Sequence, residues 1–318
     1  MGTQGTNKAN RIIYLIPLLA TLLWGSNFLV GKNILQHVPP FTLGLLRWSF
    51  ALIVLLPFTW KALCENWKLY LRYWKEIVLM GFLGIAFFTG VVYWGMEHTN
   101  TVHASLLSSL SPIFITIVAY FMLHERINSN QVIGIILSLL GVLWIVSKGH
   151  IGTIADMRLN NGDIVLILSN VMMAIYSVML RKTADRLPGL IGFTLIVLAG
   201  VITAVPLMLV EVSFRPVQLF LWSNLWSIAY LGIFSSVIAF FCWTKTVHLL
   251  GPTKASPFMN LVPVFATMFA VLFLGEALLV PQVIGGVFVL LGVYWSSRPK
   301  KSLVPISHTN PRVQELKL

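Results

Sequence analysis

The chain has 318 residues, of which 57% are hydrophobic and only 10% are charged, and its net charge is +12. A soluble globular domain carries roughly 25% charged residues, so this composition excludes one and predicts an integral membrane protein. The basic residues lie in short polar breaks between apolar segments rather than on one basic domain, so they do not predict a nucleic-acid interface.

Predominantly apolar segments of about 20 residues, the length that crosses a bilayer, follow one another along the whole chain. The first begins at Ile12 behind a short basic tail and has no small-residue cleavage site, so we interpret it as an uncleaved span rather than a signal peptide. We predict an all-α integral membrane protein with ten transmembrane helices. The predicted spans are 12–31, 40–60, 77–96, 102–122, 131–147, 164–180, 190–210, 219–243, 255–274 and 280–297.

The orientation follows from the loops, which are short enough for lysine and arginine to mark the cytoplasmic side. With the N-terminus inside, the outer segments hold only Lys32, Lys148, Arg158 and Arg215, while the other basic residues outside the spans are cytoplasmic. We therefore expect both termini to be cytoplasmic.

The two halves of the chain are repeats of each other. Residues 104–144 overlay residues 255–295 without a gap, and nearly half of the aligned positions are identical, including Glu125 with Glu276. Each half carries five predicted spans, and because five is odd the second half enters the membrane from the opposite side. Such inverted repeats are typical of secondary transporters. The predicted division is a cytoplasmic tail at 1–11, a first repeat at 12–147, an outer linker at 148–163, a second repeat at 164–297 and a basic cytoplasmic tail at 298–318.

These segments also resemble a known family. "LLWGSNFLVGK" with "PPFTLGLLRWSFALIVLLPF" is similar to the start of an EamA-type repeat, and "HASLLSSLSPIFITIVAYFMLHERINSNQVIGIILSLLGV" resembles its end. The resemblance to EamA-like members of the drug/metabolite transporter superfamily extends from about Ile12 to Trp295. It implies ten helices, export or exchange of small metabolites, and a bacterial cytoplasmic membrane as the location. It implies no particular substrate, because the family handles amino acids, nucleosides, sugars and drugs.

The predicted function is secondary transport of small metabolites, such as amino acids or nucleosides, by alternating access between the two inverted repeats. Export is the favoured direction. The alternative is an integral membrane enzyme acting on lipid or prenyl substrates, although the sequence has neither an acidic Mg²⁺-binding cluster nor a nucleophile–base set. We expect no cofactor and no metal, and the partners to be a small-molecule substrate and the lipid bilayer. No acid lies in the middle of a span, so proton coupling and exchange both stay open, as does the oligomeric state.

Arg47 is the only charged residue inside a predicted span. A charge at membrane depth costs roughly 2.5–3.5 kcal/mol, so this side chain should face the bundle or water. It could contact an anionic or polar group of the substrate, or it could bond carbonyl groups or extend toward the surface. Proteins that resemble this one commonly carry arginine here whatever they transport, which favours a structural or gating role.

Several polar and aromatic residues are candidates for lining a substrate cavity. Trp24 and Asn27 lie in the middle of the first span, and Asn170 and Tyr176 lie in the corresponding sixth span. Tyr93 in the third span is a further candidate. The alternatives are that Trp24 only packs in the core and that Tyr93 belongs to the aromatic belt at the membrane surface.

Pro112 and Pro263 occupy equivalent positions in the fourth and ninth spans. A proline inside a helix leaves a carbonyl unbonded, and interrupted segments at matching positions in two halves point to a transporter's binding site. We therefore expect these prolines to be kink or gating positions, with Ser108 and Asn260 close enough to line the site. A plain kink that assists packing is the alternative.

Glu125 and Glu276 are the acidic markers of the repeat. One lies in "HERINSNQVIG", predicted to be cytoplasmic, and the other in "GEALLVPQVIG", predicted to be outside. No single substrate site could use both. We therefore expect each glutamate to have a structural role where one helix ends and the next begins.

Overall fold

The computed structural model of the protein describes residues 4–99, 104, 107–125, 127–150, 152, 160–187, 189–215 and 222–297. The regular secondary structure in these ranges is helical, with no strand among the described residues. The predicted tail at 298–318 and half of the predicted linker at 148–163 lie outside the described residues, whereas residues 4–11 of the predicted N-terminal tail are helical.

The helices follow the predicted spans in order, and each predicted span overlaps one helix. They are α1 (Gln4–Ile34), α2 (Pro40–Leu71), α3 (Trp74–His98), α4 (Ser111–Leu123), α5 (Ser129–Val146), α6 (Asn161–Lys182), α7 (Gly189–Val212), α8 (Trp222–Tyr230, Leu231–Ile238 and Ala239–Leu250 without a break), α9 (Pro252–Leu274) and α10 (Val280–Ser296).

Eight of the described helices are long and apolar enough to cross a membrane, and α4 and α10 are shorter apolar helices. The protein is therefore a multi-pass helical membrane protein. The number of crossings and their orientation stay predictions.

Helix α2 extends beyond its predicted span, which stops at residue 60. It continues to Leu71 through a stretch without glycine or proline, with Trp60, Lys61, Trp67 and Lys68 exposed. Hydropathy marks where the chain leaves the apolar layer, whereas a helix ends only where its backbone pattern is broken. The predicted boundary and the helix end therefore differ.

Helices α5 and α10 cross at glycines that the repeat makes equivalent. A Cβ added to Gly134 would lie 2.5 Å from the carbonyl oxygen of Gly292, and a Cβ added to Gly141 would lie 2.5 Å from that of Gly285. The contacts run in opposite directions along the two helices, so α5 and α10 are antiparallel. In the repeat, Gly134 aligns with Gly285, and Gly141 with Gly292. Exchanging the two halves therefore turns each of these glycine contacts into the other and leaves the crossing unchanged. Such a pattern is expected of equivalent helices related by a twofold axis.

The other helix contacts also occur in repeat-related pairs. Helix α1 packs on α9 as α6 packs on α4, and α1 packs on α8 as α6 packs on α3. Helices α2 and α7, which are equivalent to each other, pack together. The core of the molecule is therefore built from both halves of the chain.

The repeated turn between the fourth and fifth helices of each half has a defined local structure. His124 and Gly275, which align in the repeat, both adopt the left-handed conformation, with φ of 53° and 67°, where α4 and α9 end. The side chains of Gln131 and Gln282 then accept hydrogen bonds of 2.8 and 2.9 Å from the backbone N–H three residues before them. These glutamines therefore satisfy donor groups where α5 and α10 begin.

Helices α3 and α8 each contain a π-helical segment at an equivalent position, Phe82–Phe87 in α3 and Leu231–Ile238 in α8. Such segments are rare and often occur next to functional sites. In this protein the second segment bonds α1 and α2, because the Ser235 carbonyl accepts from Trp24 and the Ser236 hydroxyl accepts from Arg47.

Candidate functional site

A cavity of about 90 Å³ lies between the two halves and is lined by α1, α2, α3, α4, α6, α8 and α9. One water molecule requires roughly 10–15 Å³ of such volume, so the cavity has room for several waters or a small organic molecule. The helices that form it include three equivalent pairs, α1 with α6, α3 with α8 and α4 with α9. The site is therefore shared by the repeats and belongs to neither half alone.

Arg47 forms the charged part of the cavity wall. Its side chain is only 4% exposed. Its Nε donates to Ser236 Oγ at 2.7 Å, and its Nη1 donates to Tyr93 Oη at 2.6 Å and to Asn27 Oδ1 at 3.3 Å. The guanidinium also lies over the rings of Trp48 and Tyr93, at 5.4 and 5.6 Å from their centroids. Arg47 thus joins α1, α2, α3 and α8 through neutral side chains, without a hydrogen bond to a backbone carbonyl in the described residues.

Asn27 and Tyr93 are hydrogen-bonded to each other as well as to Arg47. The Tyr93 hydroxyl donates to Asn27 Oδ1 at 2.9 Å while it accepts from Arg47. Both residues line the cavity and are buried. The three side chains therefore form one network that fixes the orientation of the guanidinium.

A second polar group, formed by α6 and the start of α4, lines another part of the wall. The Asn170 amide nitrogen donates to the carbonyls of Leu107 and Leu166, both at 2.9 Å, and its oxygen accepts from the Ser111 hydroxyl. The Ser169 hydroxyl donates to the Leu166 carbonyl at 2.7 Å. Since the serine hydroxyl protons are donated to carbonyl groups, the serine oxygens that line the cavity can accept hydrogen bonds from a ligand.

The remaining wall is aromatic and apolar. Trp24 donates from Nε1 to the Ser235 carbonyl at 3.3 Å and contacts the edge of the Phe240 ring at a centroid distance of 5.1 Å. Phe28, Phe88, Met173 and Met259 complete this surface. The cavity thus combines a large apolar surface with a few oriented polar groups, as small-molecule sites do.

Six of the eight predicted cavity residues line this one cavity: Trp24, Asn27, Arg47, Tyr93, Ser108 and Asn170. The other two lie elsewhere in the described structure. Tyr176 is fully buried and packs between Gly84 of α3 and Phe240. Asn260 is fully buried too, and its amide donates to Ser138 Oγ of α5 at 2.7 Å. Polar character alone predicted both residues, whereas helix rotation decides which face reaches the cavity.

The two prolines lie next to irregular helical segments, Pro112 in the first turn of α4 and Pro263 inside α9. Pro112 is in the first turn of α4, just after a turn at residues 109–110, and the Ser111 hydroxyl oxygen lies 2.8 Å from the Ser108 carbonyl oxygen. Pro263 follows a 3-10 segment at Ser256–Asn260. The helical path is therefore interrupted just before each proline, and Ser108 lies in the cavity wall at the first interruption.

The glutamate markers differ in their surroundings. The Glu125 carboxylate accepts a hydrogen bond from the Thr253 hydroxyl at the start of α9, in the other half of the chain. Glu276 is exposed. Neither carboxylate makes the bonds that start the next helix, because Gln131 and Gln282 do so.

Several lining residues were not predicted from the sequence, including Ser111, Ser169 and Phe240. Ser169 directly precedes Asn170, and Ser111 directly precedes Pro112, so their proximity to predicted residues was an available signal. No pattern in the sequence distinguishes Phe240 from the other phenylalanines of the apolar spans.

A cavity between repeat-related halves of a helical membrane protein is the arrangement of a transporter. The sequence profile of the EamA-like transporter family matches this chain twice, at residues 11–147 and 160–298. The chain belongs to the EamA-like transporter family, which confirms the resemblance found in its sequence.

Relatives of similar length cover nearly the whole chain. The uncharacterized transporter YyaM of Bacillus subtilis is 28% identical over 296 residues, which is 90% of this chain and 93% of the relative. A probable amino-acid metabolite efflux pump of Salmonella typhimurium is 24% identical over 286 residues, 88% of this chain and 92% of the relative. A solved crystal structure superimposes with a TM-score of 0.73 at 19% identity, covering 90% of this chain and 96% of that one. At this identity the likeness shows the fold.

Proposed function

We propose that the protein is a secondary transporter that exports small metabolites across a bacterial cytoplasmic membrane by alternating access. The observation that carries the proposal is the central cavity, whose wall is built from equivalent helices of both halves. Two similar halves of opposite orientation can exchange conformations, which opens a shared site first to one side and then to the other. The name of the Salmonella typhimurium relative, an efflux pump for amino-acid metabolites, supports export.

Polar contacts at the two ends of α6 support the same mechanism. At one end, the Thr99 hydroxyl donates to Asp163 at 2.5 Å. At the other end, Arg181 donates to the His248 carbonyl at 2.5 Å. Asn170 lies between them, about 10 Å along the helix from Asp163 and about 16 Å from Arg181 at 1.5 Å per residue. A few such contacts can break and form as each side opens.

Family membership and a site shared by the two halves favour a transporter over the alternative, a membrane enzyme acting on lipid or prenyl substrates. The lining residues that we propose for the substrate site are Trp24, Asn27, Arg47, Tyr93, Ser108 and Asn170. Helix interruptions at Pro112 and Pro263 are proposed to provide movement next to it. The protein needs no cofactor for this function, because the gradient of the substrate, or of an exchanged solute or proton, drives transport.

Counterflow into proteoliposomes tests the proposal. The purified protein is reconstituted, and uptake of labelled amino acids, nucleosides and organic acids is measured against the same unlabelled compounds inside. Repeating the assay with an imposed pH gradient distinguishes proton coupling from exchange. Absence of counterflow for every compound, with a correctly folded protein in sealed vesicles, would contradict transport.

A pair of matched substitutions tests the cavity itself. Val92 lines the cavity, whereas Val132 is exposed on α5 outside it. Val92→Phe should lower counterflow at least tenfold because the ring fills a space of only about 90 Å³. Val132→Phe should leave counterflow unchanged. Equal flux through both variants, with unchanged melting temperatures, would show that substrate takes another path.

A further inference from the structure

We propose that the substrates are small organic anions and that Arg47 binds their carboxylate group; this inference rests on the proposed transport function. The starting point is the charge of the cavity wall. Among the described residues that line the cavity, Arg47 carries the only formal charge, and none is aspartate or glutamate. Its three hydrogen-bond partners, Ser236, Tyr93 and Asn27, are all neutral. A guanidinium that is 4% exposed is therefore held without a counter-charge among the described residues.

The geometry leaves part of the guanidinium free to bind a ligand. Arginine has five N–H donors. The network uses Nε and Nη1, and Nη2 makes no hydrogen bond among the described residues. The bonds to Ser236 and Tyr93 fix the plane of the group before a ligand arrives. A carboxylate matches both the charge and the planar donor pattern of this group, and such charge-assisted bonds are among the strongest in proteins.

The other parts of the cavity wall determine the chemistry of the rest of the ligand, beyond its carboxylate group. The aromatic and methionine surface fits an apolar body, and Trp24, Phe28 and Phe240 lie next to the Arg47 network. The hydroxyl protons of Ser108 and Ser169 are donated to backbone carbonyls, so their oxygens can accept from a ligand. An amine beside the guanidinium would be repelled, with no carboxylate in the described wall to offset its charge. The favoured ligand is thus a carboxylate on a compact apolar body.

Three probes that share a benzene ring and differ in charge test the charge preference of the wild-type protein. The probes are benzoate (an anion), benzamide (neutral) and benzylamine (a cation). Binding is measured by the rise in melting temperature of the purified protein with probe concentration, and transport by counterflow. Benzoate should bind at least tenfold more tightly than benzamide, since a hydrogen bond to a charged group exceeds a neutral one by this order. Benzylamine should not bind.

Two variants test whether Arg47 causes the preference for benzoate. Arg47→Gln should weaken benzoate binding about 10- to 100-fold and benzamide binding much less, so that the preference for benzoate is lost. Arg47→Lys should retain part of the preference for benzoate. Arg186→Gln is the matched control, because Arg186 is an exposed arginine that faces Glu76 on the surface. It should bind benzoate like the wild type. If the Arg47 variants do not fold, the wild-type panel decides alone.

The outcomes are distinguishable from those for transport in general. Counterflow of benzylamine or of neutral compounds without benzoate would overturn the anion preference and leave the transporter intact. Equal binding of benzoate and benzamide, absence of benzoate binding, or an unchanged preference in Arg47→Gln would each overturn the proposal. Benzoate binding without counterflow of any compound would support the anion site and contradict the transport function on which it rests.

Discussion

Replacing Gly285 by alanine adds one methyl group where α10 crosses α5. The new Cβ would lie 2.5 Å from the Gly141 carbonyl oxygen and 2.6 Å from Ile145 Cγ1. The first of these neighbours is backbone, so the helices must separate. Overpacking of this kind costs about 1–3 kcal/mol. At about 2–4 °C per kcal/mol for proteins of 150–250 residues, we expect the melting temperature of the purified protein to fall by several degrees.

The adjacent Gly286 provides the control, because a Cβ there has Val264 Cγ1, at 3.9 Å, as its nearest neighbour. Gly286→Ala should be neutral or should stabilise by about 0.5–1 kcal/mol, since alanine loses less conformational freedom than glycine in a helix. Melting is followed by intrinsic tryptophan fluorescence in detergent. Equal shifts for Gly285→Ala and Gly286→Ala would refute the close antiparallel crossing of α5 and α10.

Two further predictions concern carboxylates that join separate helices. The Glu211 carboxylate at the end of α7 accepts two backbone N–H groups and the Thr42 hydroxyl at the start of α2. Glu211→Ala should therefore cost about 1–2 kcal/mol, the usual value of a helix cap, and an unchanged melting temperature would contradict this role. Glu125→Ala should cost about 1 kcal/mol through its bond to Thr253, whereas Glu276→Ala, at the equivalent but exposed position, should stay within about 0.5 kcal/mol. Thermal melting of both variants checks this asymmetry, and equal losses would contradict it.

Much of the fold could be predicted from the sequence because a bilayer imposes a simple requirement. Each crossing needs about 20 apolar residues with all backbone groups bonded inside the segment, so hydropathy locates the helices. The end of α2 was missed because a helix can continue into the polar layer. The π-helical segments in α3 and α8 were not predicted, since their sequences remain apolar and compatible with an α-helix.

The repeat could also be predicted from the sequence, because residues that make the same local hydrogen bonds recur at the same spacing. The left-handed ends at His124 and Gly275 and the caps of Gln131 and Gln282 are local structures, set within a few residues. The glutamates were harder to interpret. The Glu125 carboxylate accepts a hydrogen bond from Thr253, which is far away along the chain, and no local sequence pattern predicts that contact.

The sequence by itself determined the class of protein, the approximate helix positions, the duplication and most of the polar residues of the cavity. Only the tertiary structure decided which of those residues share one space. Arg47, Tyr93 and Asn27 come from three different helices, and their meeting depends on the rotation and packing of each helix. The same rotations direct Tyr176 and Asn260 away from the cavity. Hydrophobic burial in a bilayer specifies that a helix forms, whereas side-chain packing between helices specifies which face it turns inward.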